Sequence, residues 1–140
     1  MKKILGLFFV LAGLFCFNSC KNYIDQLSIA GNKYKMTEAI PVSKSISATA
    51  GLNLVAENCI LTFNKDGSSY TQTQGSGSSA SVVSQGNYEV STSDNNVTLI
   101  DSSGGRNTYY FSDQGTVLHG SEYWTGIGFS GEFSVTYRLQ

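Results

Sequence analysis

Hydrophobic and polar residues alternate along this chain in short runs, and Gly, Asn, Asp or Ser ends each run. The period is two, the spacing of a pleated strand, in which neighbouring side chains point to opposite faces. The clearest case is residues 131–140, where Phe133, Val135, Tyr137 and Leu139 share one face and Ser134, Thr136 and Arg138 the other. Residues 58–74 read as two strands about one turn. Cys59, Leu61 and Phe63 alternate with Ile60 and Thr62, and Asn64-Lys65-Asp66-Gly67 then reverses the chain. Asp66 can bond its own main chain, and Gly67 takes a positive φ without a Cβ clash. Asp-Gly between alternating runs is a strong hairpin signal.

The same pattern recurs in both directions. Residues 32–40 set Tyr34 and Met36 against Lys33, Lys35 and Thr37, and Pro41, with no N–H to give a ladder, ends the run. Further on, Tyr88 with Val90, Val97 with Leu99, Tyr109 with Phe111, and Leu118 each mark one strand. Eight strands are predicted, beginning near residues 32, 58, 69, 85, 97, 107, 116 and 132, mostly joined by hairpin-length turns. Consecutive hairpins make an antiparallel meander, and a twisted meander of this size can close into a β-barrel with no free edge. A two-sheet sandwich usually needs longer crossovers. The predicted inward set is Leu61, Phe63, Tyr88, Val90, Leu99, Phe111, Leu118, Phe133, Val135 and Tyr137.

Two segments carry two readings each. In residues 42–57, Ile46, Ala48, Ala50, Leu52, Leu54 and Ala56 alternate as an extended strand would, yet Ser45 before an Ala-rich run could cap a short helix across a barrel end. Residues 122–131, EYWTGIGFSG, read as an aromatic loop among three glycines. Tyr123, Trp124, Ile127 and Phe129 could fold down as a plug, or form the rim of a ligand mouth.

The N-terminus has a different character. Lys2 and Lys3 precede an apolar run of 14 residues, 4–17, the length of a signal-peptide core. A membrane-spanning helix needs about 20 residues. Phe17-Asn18-Ser19-Cys20 follows and resembles the lipobox of bacterial lipoproteins. That resemblance implies cleavage before Cys20 and fatty acylation of the new N-terminus. Several acyl chains together anchor a protein stably to a membrane. Lys21 rather than Asp after the Cys implies outer-membrane delivery. The predicted organisation is a signal peptide over 1–19, a lipidated tether over 20–31 and one domain over 32–140.

Removing residues 1–19 leaves 121 residues with seven Lys+Arg against ten Asp+Glu. That length suits one domain with one core. No basic patch offers the electrostatic footprint of a nucleic-acid binder. Cys16 leaves with the leader and Cys20 is the expected acylation site, so Cys59 is left without a mate and reads as a small core hydrophobe. His119 is the sole histidine, which excludes a multi-His metal site. No serine stands in a nucleophile motif. GSGSS and SSGGR lack the Lys-Ser/Thr and helix of a phosphate loop. Asp94, Asp101 and Asp113 sit in or beside turns, where Asp is expected for backbone reasons. No enzyme, metal or cofactor is expected.

ILTFNKDGSSYTQ, GNYEV, NVTLI and TYYF with QG and TVL together resemble the lipocalin-like domain of Gram-negative envelope lipoproteins, over residues 32–140. The resemblance implies an eight-stranded calycin-type barrel acting as a non-enzymatic binding module. Its expected ligand is small and apolar or amphipathic, held by Phe63, Tyr88, Phe111, Tyr123, Trp124, Phe133 and Tyr137. A filled barrel would point instead to an interaction or inhibitor module working through its loops. The expected partners are a membrane, through the lipid anchor, and a small apolar ligand, with the domain a monomer.

The anchor is directly testable. Cys20→Ser is expected to abolish incorporation of an alkyne fatty acid in growing cells and to release or strand the protein. Label persisting in that variant would exclude lipidation at Cys20.

Overall fold

The computed structural model describes residues 24–26 and 28–140. The expected leader and Cys20 lie outside the described residues. Eight strands form one closed antiparallel barrel in sequence order. They are β1 (Lys33–Pro41), β2 (Ile60–Phe63), β3 (Ser69–Gln74), β4 (Ser81–Ser91), β5 (Asn96–Asp101), β6 (Arg106–Ser112), β7 (Val117–Gly126) and β8 (Phe129–Leu139). A helix, α1 (Ala48–Ala56), stands between β1 and β2. The barrel closes where β8 pairs with β1, from Tyr34 opposite Leu139 to Pro41 opposite Phe133. The all-β meander expected from the alternation is the fold observed. A closed all-antiparallel barrel of eight strands is calycin-like architecture.

Period-two burial decides the inside. Tyr34, Met36, Leu61, Phe63, Tyr88, Val97, Tyr109, Leu118, Phe133 and Tyr137 are at most 2 % exposed. Of the predicted inward set, only Val90 is not fully buried. Eight strands enclose a space that side chains can fill, and here aromatics fill it. The Phe63 ring meets Tyr34 edge-on at 5.8 Å and Tyr88 at 4.8 Å. The Asn64–Gly67 turn forms as predicted, with Gly67 at φ 73° and Asp66 Oδ1 accepting from the Ser68 and Ser69 amides at 2.8 Å. Those donors, with the Ser69 hydroxyl, hold the exposed Asp66 carboxyl down at about 2.

Three segments depart from the sequence reading. Residues 42–57 contain the helix, with Ser47 rather than Ser45 as its N-cap, accepting from the Thr49 amide at 3.2 Å. The run of small residues alternates by composition, but burial follows Ala50, Gly51 and Leu54, one helical face. That face needs Gly51, because a Cβ there would lie 1.8 Å from the Ala39 carbonyl oxygen of β1.

The expected tether is the second departure. Ile29 is 2 % exposed, inside the core. Gln26 behaves as a strand partner: its Nε2 donates to the Tyr88 carbonyl at 2.7 Å, its Oε1 accepts from the Val90 amide at 2.9 Å, and its carbonyl accepts from the Tyr88 hydroxyl at 3.0 Å. This segment therefore closes the barrel end that carries the β2–β3 and β4–β5 turns.

The third is residues 122–131, expected as a loop. They are the ends of β7 and β8 about the two-residue turn Ile127-Gly128. The glycines that suggested a loop supply space. A Cβ at Gly131 would lie 2.3 Å from Ile46, and one at Gly126 would lie 2.4 Å from the Phe129 ring.

Phe63 is fully buried between Tyr34 and Tyr88. Phe63→Ala is expected to cost about 3–5 kcal/mol, read by chemical denaturation of the domain. A midpoint unchanged from wild type would contradict this packing.

Candidate functional site

The alternation of β7 leads to the site. Leu118, Gly120, Glu122 and Trp124 share the inward face. This phase carries a carboxylate into the barrel, where Glu122 is 5 % exposed. Gly120 makes the approach feasible, since a Cβ there would lie 2.5 Å from the Tyr109 ring.

Four side chains from four strands converge on that carboxylate. The Tyr109 hydroxyl of β6 donates to Oε1. The Tyr137 hydroxyl of β8 donates to Oε1 at 2.9 Å. Trp124 Nε1 of β7 donates to Oε2 at 2.6 Å. Gln72 Nε2 of β3 reaches both oxygens at 3.3 Å and donates to the Tyr137 hydroxyl at 2.8 Å. The indole and amide nitrogens can only donate, so Oε2 acts as an acceptor, while two hydroxyls face Oε1. Removing an ion from water costs several kcal/mol. A hydrogen bond to a charged group contributes roughly 1.5–3 kcal/mol, so a set of this size recovers part of that cost.

Electrostatics follow from the same arrangement. Burial pushes the Glu122 carboxyl up from its ordinary value, and the hydrogen bonds from Tyr109, Tyr137, Trp124 and Gln72 pull it part of the way back. Burial first, and then the Glu122 charge, hold the Tyr109 and Tyr137 phenols well above theirs. Cys59, buried nearby, is pushed up to about 12 by burial and by the Glu122 and Glu57 carboxylates. That places it far from a reactive thiolate.

Above the carboxylate lies a cavity of about 340 Å³ at the open barrel end. Gln72, Gln74, Ser84, Asn107, Glu122 and Trp124 line it, with Val83 and the β7 residues Tyr123 and Thr125 at its edge. Val83 reaches this edge because β4 carries a bulge, Ser84 pairing with Gln72 and Val82 with Thr73. A second cavity, about 450 Å³, separates α1 from the β7–β8 turn and includes Ile46, Asn53, Ile127 and Phe129. A third, about 380 Å³, lies outside against β1 and α1, beside Ile40, Pro41, Leu52 and Val55.

The ligand residues expected from the sequence separate into two groups. Trp124 and Tyr123 line the open end, and Tyr137 sits directly beneath it in the carboxylate network. Tyr123 points outward, 71 % exposed, its hydroxyl 3.0 Å from Ser130. Phe63, Tyr88, Phe111 and Phe133 are buried in the packed interior and line none of these three cavities. The residues that sequence reading missed are Glu122, Gln72, Gln74, Ser84 and Asn107. The signal for Glu122 was present, two residues from Trp124 and four from Leu118 in the same phase.

His119 lies on the outer wall. Its Nε2 is 2.9 Å from Ser112 Oγ, and its Nδ1 is 3.3 Å from Thr136 Oγ1, which bonds Glu38. Neither Ser112 nor His119 lines any of the three cavities. No group of three or more His, Cys, Asp or Glu among the described residues is placed to hold a metal ion. Comparison with family models, curated proteins and solved structures finds no match to this chain.

The network makes a signed pH prediction. The folded carboxyl of Glu122 is raised above its unfolded value, so its contribution is complete below the unfolded value. It is lost as pH rises through the folded one. Stability measured by denaturation is therefore expected to fall across that interval in wild type, and the fall is expected to vanish in Glu122→Gln. That variant is also expected to lose about 1–3 kcal/mol, because the Gln amide turns a donor towards groups that donate and leaves one of them unpaired. An unchanged pH slope would contradict the burial of this carboxylate.

Proposed function

We propose that this chain is an envelope lipoprotein whose barrel is a non-enzymatic binding module of the lipocalin-like kind. Its small amphipathic ligand binds at the open end, not in the barrel centre. The observation that carries the reading is the cavity of about 340 Å³, with a buried carboxylate beneath it and an indole on its wall. Its size is that of a small-molecule site, and its mainly polar lining carries an apolar part in Val83, Tyr123 and Trp124. The aromatic packing of the middle of the barrel leaves the mouth as the place for a ligand. The leader ending at Cys20 supports lipid anchoring at the outer membrane. The closed barrel end carries Gln26 and Ile29, away from the open cavity.

A second reading rests on a separate observation. Ile40, Val42 and Leu52 are 52 %, 59 % and 71 % exposed beside the outer cavity of α1 and β1. An apolar surface on a filled barrel suits an interaction module acting by contact.

Native mass spectrometry of the domain purified from its own envelope separates the two. A co-purifying small molecule is expected, and it is expected to be lost in Val83→Trp, which places a bulky ring at the cavity edge. A wild-type domain that carries no small molecule but retains a protein partner would favour the second reading.

A further inference from the structure

The open-end cavity has a chemical polarity that narrows the ligand, and the inference rests on reading that cavity as the binding site. Every hydrogen-bond partner of Glu122 among the described residues is an uncharged donor: Tyr109, Tyr137, Trp124 and Gln72. Arg106 forms the one ion pair found among the described residues, with Glu89, on exposed side chains. No Lys, Arg or His lines the cavity. When ionised, the carboxylate beneath the cavity is therefore met by dipoles alone, with no cation beside it.

The donors at the base of the cavity are also spent. Gln72 Nε2 is engaged by Tyr137 and Glu122, and Trp124 Nε1 by Glu122. Gln72 Oε1 is left with no hydrogen-bond partner among the described residues. No fully buried side-chain N or O among them lacks a partner, so this oxygen touches open space. Gln72 itself is only 6 % exposed and lines the cavity. A ligand group reaching the base meets acceptors, a net negative charge and the Trp124 ring.

We propose that the open end binds a small organic cation, a primary alkylammonium with a short apolar body. Its N–H groups meet Gln72 Oε1 and the field of the Glu122 carboxylate, and its methylenes lie against Val83 and the Trp124 ring. An ammonium has donors and no acceptor, matching the base. Its charge is favoured both by a carboxylate in a low-dielectric site and by an indole face. A carboxylate or phosphate ligand would meet Glu122 as a like charge. A neutral polyol can donate to the same acceptors but gains nothing from the carboxylate charge. A hard metal ion would want six or more oxygen ligands, and one carboxylate already ringed by donors does not supply them.

Trp124 is the only tryptophan, so its emission reports this cavity alone. The probes are n-hexylammonium, n-hexanol and n-hexanoate, each titrated into the wild-type domain at neutral pH. Hexylammonium is expected to give a saturable change at least about tenfold tighter than hexanol, with hexanoate weakest. Asn107→Lys places a fixed cation at the exposed rim without touching the buried network. It is expected to reduce the hexylammonium-to-hexanol preference, as is Glu122→Gln where that variant folds. Equal affinity for hexylammonium and hexanol would overturn the cation proposal and leave the mouth as a binding site. A preference unaltered by Asn107→Lys would likewise overturn it. Silence towards all three probes would overturn both the cation and the site.

Discussion

The open half of this barrel is organised by one buried carboxylate and the donors around it. Glu122 draws Gln72, Tyr109, Trp124 and Tyr137 from four different strands onto two oxygens. Each donor also has a packing role. Tyr109 and Tyr137 meet edge-on with ring centres 6.1 Å apart, Trp124 forms cavity wall, and Gln72 supplies the base. Losing any one donor would leave a buried charge under-solvated, which costs more than the hydrogen bond alone. The network therefore fixes side-chain positions more strictly than apolar packing would.

The two ends of the barrel answer different demands. At the closed end, Ile29 enters the core and Gln26 completes hydrogen bonds of β4, while the Tyr34 hydroxyl donates to the Gly115 carbonyl at 2.6 Å. That end is stapled by side chains bonded to the backbone. At the open end, α1 covers one side and the β7–β8 hairpin rises beside it, with Ile127 wholly exposed at its tip. Between these elements and the ends of β3, β4 and β6 the interior reaches solvent through polar side chains.

Much of the fold was legible because period-two alternation is a direct consequence of pleating. Strands such as β5 and β8, with one apolar face each, announced both their existence and their inward residues. The Asp66-Gly67 turn was equally plain, because few residues tolerate its backbone. Three features were harder for physical reasons. Helix α1 is built of small residues whose spacing satisfies both periods, and only the close approach of Gly51 to Ala39 decides between them. In the β7–β8 hairpin Gly128 serves the turn, with φ 81°, but Gly126 and Gly131 supply space, a distinction that needs the neighbouring Phe129 and Ile46. Glu122 lies in phase with Leu118, but a charged residue is normally assigned to solvent. Its burial depends on donors that lie between 13 and 50 residues away in sequence for Tyr109, Tyr137 and Gln72. The core positions could be read strand by strand, whereas the site required knowing which strands meet.

The titration of the Glu122 carboxyl is the most direct measurement of this arrangement. Carbon-13 NMR of the side-chain carboxyls, with Glu122 assigned by its absence in Glu122→Gln, follows that one group through pH in the folded domain. Burial is expected to place its midpoint above the ordinary glutamate value. A midpoint at the ordinary value, shared with the exposed glutamates, would mean that the carboxylate is solvated, and the buried network would not stand.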